Sequence, residues 1–392
     1  MNRCSLWQQR ARLDTVEPVK QAFPADVPPA AHSPAGAPDG HGTVFSHHDG
    51  EEHNDSANRD EQASYPSQSP LPPSPSAATP YTGNWPPYAL LLVSCLIVAA
   101  AGLGGSAARV ALQKCFEKNP FFPKYTYIGP NSLGSFLMGF SVTVLPPEGA
   151  LPLTHRALCV GFCGSFTTFS SWIVKAMVQN TVADALEHLF IGGTMPLVFF
   201  LWGRDCGRGV RWCCEHVVDS PWETWPLHRS LLRAVDAVMF VLVFLASILA
   251  PVLVLVYIGE GGIRVISTDD VRMVVLAPAG AVTRFMLSVY LNKKACAAQF
   301  PLGTLAANLL GVLLAIIMYN MEVNHLSCEW CIAVQNGICG ALSTVSSVAN
   351  ELVSFYGSGR MLSAYVYALV SVGFSVFIAG VGRPQLYRHA VS

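Results

Sequence analysis

The polar and apolar positions of this 392-residue chain are segregated into blocks, not alternated along strands or amphipathic helices. From about residue 88 onward, apolar runs of roughly 18–25 residues recur between short polar gaps, the length that crosses a bilayer core as a helix. Nine such spans are predicted, at approximately 88–112, 126–146, 155–178, 183–203, 236–258, 271–291, 301–320, 331–355 and 361–382. Residues 1–86 are different. They are rich in Pro, Ser, Ala, Asp and His, and a stretch such as "YPSQSPLPPSPSAATP" has no apolar period, so a disordered tail is expected. The fold class expected is an all-α polytopic membrane protein lying in the bilayer.

The second half repeats the first. "GLGGSAARVAL" (Gly102–Leu112) matches "APAGAVTRFML" (Ala277–Leu287), so Arg109 is answered by Arg284. "GPNSLGSFLMG" matches "LAANLLGVLLA", which pairs Asn131 with Asn308. "VGFCGSFTTFSSW" matches "QNGICGALSTVSSV", which pairs Thr168 with Thr344. The three blocks occur in one order at offsets of 175, 177 and 176 residues, which marks an internal duplication. Each copy holds four spans. Four is even, so the unpaired span at 236–258 would insert the second copy upside down relative to the first, and a site is expected at the interface of the inverted repeats. The organisation expected is therefore a tail at 1–86, a first four-helix repeat at 87–204, an Arg-rich loop with the inverting helix at 205–260, and a second four-helix repeat with a short C-terminal tail at 261–392.

Charge changes the picture in two ways. Charged residues make up only 12% of the chain and the formal net charge is −1, so no electrostatic footprint for nucleic acid exists. The loop at 204–235 concentrates Arg204, Arg208, Arg211, Arg229 and Arg233, which places it and the N-terminal tail in the cytoplasm by the positive-inside rule. Plasma membrane is the expected residence.

Within the spans, polar residues are costly and mark helix contacts or a pathway. In both copies a Gly precedes a Ser/Thr run, as in "GSFTTFSS". A helix broken there would expose carbonyls, and two such breaks at a pseudo-two-fold axis would converge on a cation such as sodium. Asn131 and Asn308 carry amide donors suited to an anion or to an interhelical bond. Arg109 and Arg284 lie toward helix ends and either snorkel or make an aqueous vestibule positive. Tyr367, Ser371 and Ser375, spaced i, i+4, i+8, form a hydroxyl stripe on the last span. The matching stripe of the first copy, from His188, contains Gly192 and Pro196, so the ladder is one-sided. Phe169 offers a positive ring edge. Cys328 and Cys331 form a CxxC with His325 upstream, open to either a loop disulfide or a metal. "GLGGSA" resembles a dinucleotide fingerprint only in outline, since no strand precedes it, and no nucleophile–base constellation points to an enzyme.

These motifs, in order and twice over, resemble the CrcB/Fluc fluoride channels, and most of all the fused two-domain eukaryotic exporters (the FEX group). The resemblance covers about residues 88–385. It implies a passive fluoride-selective channel made of two antiparallel four-helix units, acting as a monomer that is its own pseudo-dimer. The implied pore residues are Asn131, Phe169, Trp172, Asn308, Tyr367, Ser371 and Ser375, with Arg109 and Arg284 at the vestibule. The implied cofactor is a structural sodium held by backbone carbonyls of Gly164, Thr167, Gly340 and Ser343. Two departures matter. The aromatic pair, Phe169 and Trp172, becomes Val345 and Val348 in the second copy, and Glu351 is matched by Lys175 in the first. A fused chain is free to let one pore decay, so one working pore is expected. The competing expectation is a coupled transporter of another small anion or metabolite.

Overall fold

The computed structural model describes residues 86–115, 124–145, 151–217, 234–245, 248–249, 252, 267–292, 300–324 and 328–382. Residues 1–85 of the expected tail, residues 218–233 of the Arg-rich loop, and His325 lie outside them. All regular structure among the described residues is helical. α1 is Pro87–Cys115 and α2 is Ile128–Val144. α3 covers residues 152–166, made of Pro152–His155, a π-helical segment Arg156–Cys163, and Gly164–Phe166. α4 is Phe169–Met177 and α5 is Val182–Val217. α6 is Ala234–Leu245. In the second half, α7 is Thr268–Leu291 and α8 is Leu302–Val323. α9 covers residues 331–342, with its own π-helical segment Val334–Ile338. α10 is Val345–Gly357 and α11 is Met361–Val381.

Seven of these helical stretches are long and apolar enough to cross a membrane, counting α3–α4 and α9–α10 as one stretch each. The two remaining expected spans are represented by shorter helices. α2 has 17 residues, about 25 Å at 1.5 Å per residue, and α6 has 12 among those described. The outward faces are apolar, with Leu96, Phe190, Leu369 and Phe377 among the exposed side chains. The chain is an all-helical polytopic membrane protein.

The last helix of the first half runs past its expected span of 183–203, because α5 continues unbroken to Val217. The extra turns carry Arg208 paired to Asp205 at 3.1 Å and pack Gly207 against Phe140 and Thr143 of α2. Local helical pairing thus extends the helix past its apolar stretch.

The two halves meet chiefly through α1 and α7. Cys95 lies 3.7 Å from Met286, Gly102 abuts Ala281, and Lys114 pairs with Asp270 at 3.1 Å. Positions rise along α1 as they fall along α7, so these matched helices run antiparallel. Each also docks onto the π-helical segment of its own half by a glycine. A Cβ on Gly105 would stand 2.3 Å from the Phe162 carbonyl oxygen, and one on Gly280 would stand 2.1 Å from that of Ile338. Only a bare Cα allows this approach. α6 seats on the first half. Its Asp236 carboxylate accepts hydrogen bonds from the backbone N–H groups of Leu153 and Thr154 at 3.0 and 2.9 Å and from the Thr154 hydroxyl at 2.7 Å. It thereby caps the orphan amides at the start of α3. Phe240 and Val243 pack on Ile97, Ala101 and Ala157.

The glycine docking predicts a sharp contrast. Gly280→Val forces a side chain into a backbone carbonyl and should cost about 1–3 kcal/mol or more, read as a lowered thermal midpoint of the detergent-purified protein. Gly373→Val, at a position with open space around it, should leave the midpoint unchanged. Equal midpoints for the two variants would contradict the docking.

Candidate functional site

The centre of the molecule is a pair of chain breaks. After Gly164–Phe166 the chain leaves the helix, with Thr167 at φ −91°, ψ 153° and Thr168 at φ −140°, ψ 123°. The second half repeats this at Ser343 (φ −95°, ψ 148°) and Thr344 (φ −149°, ψ 133°). Each helix restarts from a Thr cap, whose hydroxyl accepts the backbone N–H of Ser171 or Ser347. The backbone stranded by the break is recovered by an asparagine. Asn131 donates to Thr168 O at 3.0 Å and accepts from Thr168 N–H at 2.8 Å, and Asn308 does the same to Thr344 at 3.2 and 2.8 Å. Both asparagines are fully buried, and each amide carries a second N–H beyond the one used here.

The two breaks interlock by exchange. Ser170 N–H donates to Ser343 Oγ at 2.8 Å, and Ser346 N–H donates to Thr167 Oγ1 at 3.3 Å. Ser170 Oγ donates to Cys339 O, and Ser346 Oγ donates to Cys163 O. Thr167 and Thr344 hydroxyls meet at 3.0 Å. The Ser170 and Ser346 bonds mirror one another at matched positions, the signature of a two-fold related interface.

The arginines obey the same exchange, and this corrects the vestibule expectation. Arg109 and Arg284 are 3% and 4% exposed, so they line no open vestibule. Arg109 donates to Asn336 O of the second half at 2.5 Å, and Arg284 donates to Val160 O of the first at 2.8 Å and to Ala341 O at 3.0 Å. Their guanidinium groups lie over the Cα atoms of Gly340 and Gly164 respectively, where a Cβ would clash. The helices carrying them cross so closely that each side chain reaches the opposite half before it reaches water.

The expected cation ligands lie at these breaks. In a continuous helix, the carbonyls of Gly164 and Thr167 would accept the N–H groups of residues 168 and 171, but those are held by Asn131 and the Thr168 hydroxyl. Gly340 and Ser343 lose their donors to Asn308 and the Thr344 hydroxyl in the same way. Four diverted carbonyls are an oxygen-only donor set that suits a hard monovalent cation. The arginines bond other carbonyls, those of Asn336, Val160 and Ala341. Among the described residues no cluster of three or more His, Cys, Asp or Glu side chains could hold a metal ion, and Cys328 and Cys331 are joined as a disulfide.

The hydroxyl stripe on α11 is buried. Tyr367 and Ser375 are 0% exposed and Ser371 is 1% exposed. Tyr367 donates to one Glu351 carboxylate oxygen and Thr304 donates to the other, both at 2.5 Å. Phe300 and Phe355 present their edges or faces to the Tyr367 ring. Ser371 Oγ and Ser375 Oγ have no hydrogen-bond partner. Phe169 is fully buried in the same apolar cluster as Tyr367, with Trp172 edge-on to it at 5.1 Å. Trp172 shares that cluster and also contacts α5. Its indole lies on Gly192 and Gly193 of α5 and donates to His188 O at 2.8 Å.

A family model described as CrcB-like protein, Camphor Resistance (CrcB), matches residues 96–204 and again 271–383, together more than half of the chain. The chain belongs to the CrcB-like family. Fluoride export protein 1 of Candida albicans is 29% identical over 251 residues, covering 58% of this chain and 60% of the relative. Fluoride export protein 1 of Neurospora crassa is 37% identical over 266 residues, covering 57% of this chain and 46% of the relative. The chain thus spans about half to three-fifths of these fungal relatives. The fluoride-specific ion channel FluC of Pectobacterium atrosepticum is 34% identical over 101 residues, covering 25% of this chain and 78% of the relative. No solved structure matches the chain. The two matched segments coincide with the two halves that the breaks interlock, as in a fused two-domain member.

Several residues of this CrcB-like chain gave no separate signal in the sequence. Ser170 and Ser346 stood inside the recognised Ser/Thr runs, and their crossing was not readable because it depends on tertiary approach. Thr304 and Asp236 were single polar residues beside apolar runs. The Asn brackets make a definite prediction. Asn131→Leu strands both the N–H and the carbonyl of Thr168, at about 1–3 kcal/mol for each unsatisfied group. The thermal midpoint should fall by several degrees, and an unchanged midpoint would contradict the bracketing role.

Proposed function

We propose that this chain is a passive fluoride-selective channel that exports fluoride from the cytoplasm and so protects against its toxicity. The observation that carries the reading is the pair of buried, unpartnered hydroxyls of Ser371 and Ser375, stacked above Tyr367 on α11. Fluoride is small and strongly hydrated, so a pore must replace its water with hydrogen-bond donors. The hydroxyls, the spare amide N–H of Asn308 or Asn131, and the ring edge of Phe169 supply donors without a fixed positive charge. Each arginine is tied to a backbone carbonyl across the interface, Arg109 to Asn336 O and Arg284 to Val160 O. The relatives' names, fluoride export protein and fluoride-specific ion channel, support the same substrate.

Export needs no coupled ion. Hydrogen fluoride leaks in from an acidic exterior, ionises in the neutral cytoplasm, and an inside-negative potential drives the anion out. A sodium ion at Gly164, Thr167, Gly340 and Ser343 would supply fixed positive charge between the halves, while these residues hold the breaks in register. The protein acts as a monomer and internal pseudo-dimer, with nine spans and inverted repeats. The antiparallel contact of α1 with α7 supports the inversion. The N-terminal tail is cytoplasmic and the residence is the plasma membrane. On this topology the loop holding Cys328 and Cys331 faces outside, and their disulfide supports that sidedness, because such bonds persist in oxidising compartments.

The test is fluoride-electrode efflux from proteoliposomes, with chloride as the control. The native chain should release fluoride and retain chloride. Ser371→Ala with Ser375→Ala should slow fluoride efflux on the order of tenfold, the effect of about 1.4 kcal/mol of lost stabilisation. Native rates in that variant would contradict the assignment of the path to α11.

A further inference from the structure

The matched fourth helices are not matched in what covers them. On α11 the stripe reads Tyr367, Ser371, Ser375, and on α5 it reads His188, Gly192, Pro196. The matched residue on the restarted third helix differs too: Val348 in the second half, and Trp172 in the first. Both stripes keep buried side-chain atoms without partners, Ser371 Oγ and Ser375 Oγ on α11 and His188 Nε2 on α5, but on α5 a large ring covers the stripe. The Trp172 indole lies so close to Gly192 that a Cβ there would be 2.1 Å from Nε1, and one on Gly193 would be 3.5 Å from the ring. Any residue larger than Gly at 192 would displace the indole. The indole N–H is anchored on His188 O at 2.8 Å, and His188 in turn bonds the Tyr127 hydroxyl through Nδ1 at 2.8 Å. Trp172 itself is 4% exposed. A bulky, hydrogen-bonded, apolar group thus fills the place that corresponds to the hydroxyl ladder.

We propose that Trp172 is a plug. It closes the first-half counterpart of the α11 path by lying over Gly192. This rests on the fluoride-channel reading above. It also changes the part played by Trp172, from a wall of the working pore to the stopper of the idle one. An indole has one donor, already used by His188 O, and offers a passing anion no further N–H. It also excludes the water that an anion needs on approach.

The test uses the full chain in proteoliposomes and reads fluoride efflux. With the α11 path disabled by Ser371→Val and Ser375→Val, adding Trp172→Ala should raise efflux at least tenfold, and added indole, refilling the void, should bring it back down. Trp172→Ala in the otherwise native chain should also raise efflux. If the alanine variant fails to yield monodisperse protein, Trp172→Phe serves in its place. It keeps a ring but loses the anchor to His188, and a smaller rise is expected. No rise in either variant overturns the plug, and so does a fall in efflux on Trp172→Ala alone, which would make the residue a wall of the working pore. If the native chain releases no fluoride, or if the Ser→Val pair leaves efflux untouched, the fluoride reading of the α11 path is what fails, and the plug falls with it.

Discussion

A helix broken inside a membrane has nowhere to send its stranded backbone polar groups except to protein. The rest of this structure follows from how that demand is met at residues 167–168 and 343–344. An asparagine on the neighbouring helix brackets each break. A threonine caps each restart. The serine after each cap reaches across to the other half. Because the hydroxyls that repair one break belong partly to the other, neither half can form its centre alone. The duplication therefore works as one unit, and the arginines, each lying over the glycine of the opposite half, close the same interface from outside.

This shared centre is symmetric, and the flanks are not. The asparagine brackets, threonine caps and crossing serines are mirrored, yet one fourth helix carries two unpartnered serines while the other carries a glycine under an indole. The pattern makes physical sense for a fused chain. The centre is a single structure to which both copies contribute, so damage to either copy damages it. The flanks are separate structures, and a loss on one leaves the other intact. The carboxylate of Glu351, held by Thr304 and Tyr367, is likewise confined to one side. Its matched position carries Lys175.

Much of this was legible in the sequence because it repeats locally. Apolar blocks predicted the membrane helices, the near-constant offset predicted two related halves, and Gly before a Ser/Thr run predicted the breaks at Thr167 and Ser343. What was not legible depends on distance in space. Arg109 and Arg284 look like helix-end snorkelers until α1 and α7 are seen to cross. Trp172 reads as the second of two pore aromatics, and its contact with Gly192 of α5 shows only in the fold. Asp236 looks like a stray charge at the edge of an apolar run, and its role appears only when α6 docks it over the start of α3. The extension of α5 past residue 204 was hidden by its polarity, because side-chain pairing and contact with α2 sustain it without an apolar stripe.

An uncoupled, fluoride-selective route through these two halves is tested most directly by electrical recording. The purified full-length chain would be placed in a planar bilayer with a tenfold fluoride gradient, first at equal pH and then with a pH gradient added. The reversal potential should sit near the fluoride value, about 59 mV for a univalent ion, and should stay there when the pH gradient or chloride is changed. A reversal potential that moves with pH would show coupling to protons, one that follows chloride would show that the path does not select fluoride, and either result would contradict this reading.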